Sequence, residues 1–194
     1  TWDSLQDVNG HCQVIFEAIV KYRKMKYRGV VAIFQRDRFD HYSNFARIGE
    51  GSLGGKGRGL AFIDNMVKRH AEFEEFENAT VAIPKTVVLC TDIFDEFMDS
   101  NNLYQIGLSD ADDDVILKAF LRARLPERLM DDFLAFLDVV RSPIAIRSSS
   151  LLEDSHYQPF AGIYSTYMVP YMEDKNEMLR MFGEAIKGVY ASVY

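Results

Sequence analysis

Residues 144–168 read IAIRSSSLLEDSHYQPFAGIYSTYM, and the rest of the chain is organised around them. Ile144 and Ile146 predict a strand that leads directly into Arg147 and three serines, 148–150. After an acidic pair at 153–154 and a polar turn, residues 163–169 predict a second strand. Because a guanidinium and hydroxyls donate well to phosphate oxygens, this strand end is a candidate site for a phosphorylated ligand. The alternative is a β-hairpin with an ordinary hydroxyl-rich loop.

A glycine-rich loop upstream is the second candidate element. Residues 49–57 read GEGSLGGKG, and the apolar spacing over 56–70 predicts a helix after this loop. Glycines let backbone N–H groups approach an anion closely, and a helix N-terminus favours negative charge. Lys56 would add a mobile point charge beside those N–H groups.

Three better-known loops do not fit this stretch. A Walker A loop needs Gly six residues before its Lys and Ser or Thr after it, where this chain has Glu50 and Gly57. The glycines at 49, 51 and 54 have dinucleotide-binding spacing, but the preceding residues HYSNFARI are predicted to make a poor buried strand. A protein-kinase interpretation of residues 81–85 fails because Pro84 interrupts the strand and no HRD or DFG follows.

Three segments in this order resemble one family. They are GGKGRGL at 54–60, IPKTVVLCTDIFDEFM at 83–98 and the quoted stretch at 144–168. Together they are similar to the N-terminal nucleotide-binding domain of phosphoenolpyruvate synthase and pyruvate phosphate dikinase, from about Gly49 to the C-terminus. In the long motif the matching positions are Arg147, Ser148, Ser149, Glu153, Asp154, Phe160, Ala161, Gly162 and Thr166.

The resemblance implies a binding site for ATP. It assigns nucleotide binding to Gly54, Gly55, Lys56, Gly57, Arg147, Ser148 and Ser149. Lys56 would neutralise phosphates and the backbone at 54–57 would wrap them, while Arg147, the expected catalytic residue, would stabilise charge on the transferred group. Glu153 and Asp154 would orient Arg147 or the loop. Magnesium is expected to have its ligands outside this chain.

The reaction that the resemblance implies needs parts that this chain lacks. In the family, ATP is split to AMP, and the β-phosphoryl passes to a histidine elsewhere and then to an acceptor such as pyruvate. The second ATP half, the phosphohistidine domain and the acceptor domain would follow Tyr194, and Thr1 is not a natural start. We therefore expect an excised piece that is inactive alone. Lys85, Thr86, Ser150 and Pro159 depart from the family pattern, but none of them removes a charged ligand.

Composition restricts the other classes of function. The 194 residues are 48% hydrophobic and can bury a sizeable core. A net charge of -7 argues against a general nucleic-acid binder but not against ATP, which needs only local cations. Cys12 and Cys90 suggest neither a disulfide framework nor a zinc site, which favours a reducing cytoplasm. No signal peptide or long apolar run is present, so neither export nor membrane spanning is expected.

The periodicity predicts an α/β or α+β fold with one small mixed sheet packed by helices, and the family resemblance implies that it is built like an ATP-grasp subdomain. Strands are expected near 30–34, 80–90, 144–147 and 162–169, and helices near 4–28, 56–70, 91–98, 100–140 and 174–192. Residues 1–45 are expected to form an extension of unassigned role, and 46–194 the first part of the ATP-binding domain. The aspartates at 110–114 are interpreted as an acidic helix start, and His156 as a loop residue.

Two alternatives remain open at this point. Relatives with similar nucleotide domains phosphorylate glucans or rifampicin, and nothing in this chain selects the acceptor. A regulatory or adaptor protein could also keep the fold without catalysis, and residues 1–45 leave room for that role.

Overall fold

The computed structural model describes residues 12–16, 18–19, 31–39, 44–74, 76, 78–153 and 162–194. In chain order the elements are β1 Ala32–Ile33, β2 Phe45–Ile48, α1 Gly54–Arg69, β3 Thr86–Leu89, α2 Thr91–Ser100, α3 Tyr104–Gly107, α4 Asp113–Arg122, α5 Met130–Val139, β4 Ile144–Arg147, β5 Thr166–Val169 and α6 Lys175–Ala191. Short 3-10 helices span Ala71–Glu74 and Glu127–Leu129. The α+β fold class is confirmed.

The first sheet is parallel, with the order β1-β2-β3. Its central strand is β2, so the prediction that HYSNFARI makes a poor strand was wrong. Phe45, Ala46 and Ile48 are all buried, whereas Arg47 is only half-buried. A central parallel strand is covered on both faces and need not alternate apolar with polar residues. The alternation test therefore missed it.

The second sheet is antiparallel and contains β4 and β5, with Arg147 opposite Thr166. Ile144 and Val169 face the core, while Ala145, Arg147, Thr166 and Met168 lie on the exposed face. Among the described strands it shares no ladder with the first sheet, so the expected single mixed sheet is in fact two sheets. Packing joins them instead, because Ala46, Ile48, Ile144 and Val169 belong to one core cluster.

The predicted core faces of the later helices are confirmed. Leu129, Phe133, Phe136, Leu137 and Val140 are buried around α5, as are Met178, Phe182, Ile186 and Val189 on α6. Asp174 caps α6 by accepting hydrogen bonds from the backbone N–H groups of residues 176 and 177. A second cluster, with Phe97, Met98 and Phe120, lies between α2 and α4.

The predicted stripe of α1 is only partly buried. Leu60 packs against Phe45, Ile83 and Val88, but Ile63 and Met66 are 48% and 39% exposed. Most of the predicted helix at 4–28 lies outside the described residues; the described residues at 12–16 and 18–19 are helical and exposed. None of the described helices is long and apolar enough to cross a membrane.

Candidate functional site

The glycine-rich loop lies between β2 and α1 and is held by the first turn of α2. The Asp92 carboxylate accepts hydrogen bonds from the N–H groups of Glu50 and Gly51, both at 2.9 Å. The Thr91 hydroxyl accepts a hydrogen bond from Ser52 N–H at 3.0 Å. Gly49 has a positive φ of 99°, and a Cβ there would lie 2.5 Å from Asp92 Oδ1. The close approach of Asp92 therefore requires glycine at this position.

Charge strengthens this attachment. Burial alone would raise the pKa of Asp92, but N–H groups that include those of Glu50 and Gly51 outweigh it and lower the pKa below its usual value of 3.8. Arg47 donates hydrogen bonds to the Gly49 carbonyl and to the Glu50 carboxylate. Asp92 and Arg47 were not predicted as loop anchors; Asp92 lies about 40 residues from the loop in the chain, and no local pattern indicates such a contact.

Ser149 attaches the other end of the loop, where α1 begins. Its carbonyl accepts from Gly55 N–H at 2.8 Å, and its hydroxyl accepts from Gly57 N–H at 2.8 Å. The same hydroxyl donates to the Leu53 carbonyl at 2.6 Å. Gly54 has a φ of 73°, and a Cβ there would come within 1.7 Å of the Ser149 carbonyl oxygen. The predicted binding residues Gly54, Gly55, Gly57 and Ser149 therefore contact one another directly.

Lys56 and Glu153 form an ion pair in the same region. Their side chains are 24% and 14% exposed, and the paired Nζ and Oε2 atoms are shielded from solvent. Glu153 thus contacts Lys56, the lysine of the glycine-rich loop. The predicted partner acid, Asp154, lies outside the described residues, as do His156, Pro159, Phe160 and Ala161.

Arg147 ends β4 with an exposed side chain. This exposed side chain makes no hydrogen bond or ion pair with any other described residue. The neighbouring Ser148 hydroxyl accepts a hydrogen bond from Ser150 N–H at 3.1 Å, which is a local turn contact. Gly162 has a φ of 84° and open space around it. Of the two predicted cations, Arg147 is therefore exposed and Lys56 is compensated by Glu153; Arg58, near the start of α1, is a further exposed cation and donates a hydrogen bond to the Ser52 hydroxyl.

The described residues do not form a metal site by themselves. The described part of the chain has no group of three or more His, Cys, Asp or Glu side chains that could hold a metal ion. Glu153 is already paired with Lys56, and the Asp92 carboxylate is already bonded to N–H groups of the glycine loop. No step of the chemistry is therefore assigned to a metal held by these residues.

Comparison with known families gives a match. A model described as "Pyruvate phosphate dikinase, AMP/ATP-binding domain" matches residues 50–194, which include the glycine loop, Lys56 and Arg147. Neither a comparison with curated proteins nor one with solved structures gives a match. The match covers well over half of the chain and agrees with the motifs and with the α+β fold. The chain therefore belongs to the family of the pyruvate phosphate dikinase AMP/ATP-binding domain.

Proposed function

We propose that residues 46–194 are the first part of the ATP-binding domain of a cytoplasmic dikinase-type phosphotransferase, with residues 1–45 as an extension. One observation carries the proposal. The segment with Lys56 and the segment with Arg147 are joined directly through Ser149, which supports a single site that uses cations from distant parts of the chain. Phosphoryl transfer asks mainly for such positioning and for neutralisation of charge.

Arg147 and Lys56 would have different roles in this site. The exposed guanidinium of Arg147 can donate in a bidentate manner to a phosphoryl group, so it would stabilise charge on the group being transferred. Lys56 would neutralise the ATP phosphates as a point charge. The N–H groups of Gly54, Gly55 and Gly57 donate to Ser52 and Ser149 in this conformation. The glycine turn would therefore help chiefly by directing Lys56 towards the phosphates.

The reaction in this proposal is the conversion of ATP to AMP, in which the β-phosphoryl passes to a histidine elsewhere in the full-length protein and then to pyruvate. Magnesium would be held by groups other than the described residues. The family match supports ATP as the ligand. Nothing in the described residues favours pyruvate over another acceptor.

The test uses the full-length protein with magnesium and ATP labelled separately at the β- or γ-phosphate. We expect acid-labile label on the protein from β-labelled ATP only, and at least a hundredfold slower labelling in Arg147→Ala because charge stabilisation in the transition state is lost. Arg141→Ala is the matched control, since Arg141 is also exposed but precedes β4 rather than ending it. Folded protein that takes no label from either ATP would instead favour a regulatory or adaptor role.

A further inference from the structure

We propose that Ser149 is a positioning residue: it holds Lys56 beside the Arg147 strand and does not itself contact the nucleotide. This inference rests on the proposed function and deepens it, because it assigns a different role to one residue of the same site. The resemblance had grouped Ser149 with Arg147 and Lys56 as a nucleotide ligand.

The hydrogen bonds of Ser149 leave it no free proton. A serine hydroxyl has one hydrogen to donate, and that of Ser149 is used at 2.6 Å on the Leu53 carbonyl. The hydroxyl oxygen also accepts from Gly57 N–H. To donate to a phosphate, Ser149 would have to release the Leu53 carbonyl and loosen the start of α1.

The same contacts cap α1, although Ser149 is far from α1 in the chain and lies in the loop that follows β4. The first N–H groups of a helix have no partner within the helix, and the residue before α1, Leu53, has no capping side chain. Ser149 satisfies one of these groups, on Gly55, through its carbonyl. Its hydroxyl lies between Gly57 N–H and the Leu53 carbonyl, two groups that bond each other in a regular helix. Lys56 lies between Gly55 and Gly57 in the chain, so its backbone is held on both sides by Ser149.

Ser149 connects the segment that carries Lys56 to the strand that carries Arg147. Arg147 is the last residue of β4, and Ser149 follows it by two positions. The glycine-rich loop and the loop after β4 approach each other so closely that a Cβ at Gly54 would overlap the Ser149 carbonyl oxygen. Ser149 therefore determines the distance between the Lys56 backbone and the Arg147 strand.

A double-mutant cycle tests the inference, with ADP binding to the full-length protein measured by calorimetry. We expect Ser149→Ala to weaken ADP binding about fivefold, as for the loss of a hydrogen bond that positions a charge. In a Lys56→Ala background the same change should have no effect, because the side chain that it positions is gone. Hydrogen exchange should also accelerate at the Gly57 amide in Ser149→Ala.

The outcomes separate this inference from the proposed function. If Ser149→Ala weakens binding equally with and without Lys56, Ser149 is a ligand in its own right and the inference is wrong. If the unaltered protein binds neither ADP nor ATP, the proposed function fails and the inference fails with it. Ser109→Ala is the control for loss of a hydroxyl, since Ser109 also bonds a backbone N–H and a carbonyl, but within its own turn. It should leave ADP affinity unchanged.

Discussion

Glu153 competes with any anion for the charge of Lys56. The two side chains are paired, and the paired atoms are shielded from solvent. A phosphate group that approaches Lys56 must therefore either displace this carboxylate or bind beside it against its negative charge. If Lys56 binds a nucleotide phosphate as proposed, Glu153 would therefore oppose that binding as well as orient the loop.

Glu153→Gln should tighten ADP binding severalfold, because the competing negative charge is removed. It should also lower the melting temperature, because Lys56 then remains in a half-buried position without its partner. Asp64→Asn is the matched control: Asp64 pairs with Lys68 on the same helix, and these side chains are 14% and 18% exposed. It should lower the melting temperature without changing ADP affinity. Four proteins are compared: the unaltered protein, Glu153→Gln, Asp64→Asn and the double variant. Calorimetry measures their ADP affinity and thermal unfolding measures their melting temperature. Unchanged or weaker ADP binding in Glu153→Gln would contradict the competition argument.

The contact of α6 with β5 shows how one glycine can decide the fit of two elements. Gly188 is buried on α6 under the ring of Tyr167 from β5. A Cβ at Gly188 would lie 2.7 Å from the ring atom Cζ of Tyr167. The second sheet can therefore approach α6 this closely only where the helix has no side chain.

Gly188→Ala should lower the free energy of unfolding by about 1–3 kcal/mol, because the ring or the helix must move. Gly59→Ala is the natural comparison, since Gly59 is exposed on α1 and a Cβ there meets no atom within 4 Å. That change should raise the free energy of unfolding by about 0.5–1 kcal/mol, because alanine loses less backbone entropy than glycine in a helix. Urea unfolding of both variants measures the difference, and a loss of stability in Gly59→Ala as large as in Gly188→Ala would refute the packing argument.

The two larger core clusters are connected. The first lies under both sheets and contains Phe133, and the second lies between α2 and α4 and contains Phe120. Leu125 and Tyr190 pack against both clusters. Because these side chains are shared, loss of packing in one cluster removes contacts from the other.

We therefore expect the part of the chain with these clusters to unfold in one transition. Phe133→Ala and Phe120→Ala should each lower the free energy of unfolding by about 3–5 kcal/mol and shift the whole transition, because both rings are buried. Far-UV and near-UV circular dichroism in urea should give the same midpoint for each variant. Two separate midpoints in either variant would show that the clusters unfold independently.

Local pattern was enough to predict much of this molecule. The helical spacing of Phe133, Phe136 and Leu137 predicted the buried face of α5, and the motifs around Lys56 and Arg147 identified the family. These features depend on residues close together in the chain, whose periodicity reports which face is buried.

Contacts between distant residues were decided only by the tertiary structure. Sequence did not show that β2 is the central strand, that the strands form two sheets, or that Asp92 holds the glycine loop. Nor did the sequence show that the Ser149 hydroxyl reaches Gly57, 92 residues away in the chain. The physical reason is that a helix end or a strand edge leaves polar groups that any suitable donor or acceptor can satisfy, and packing of the whole chain selects which one does.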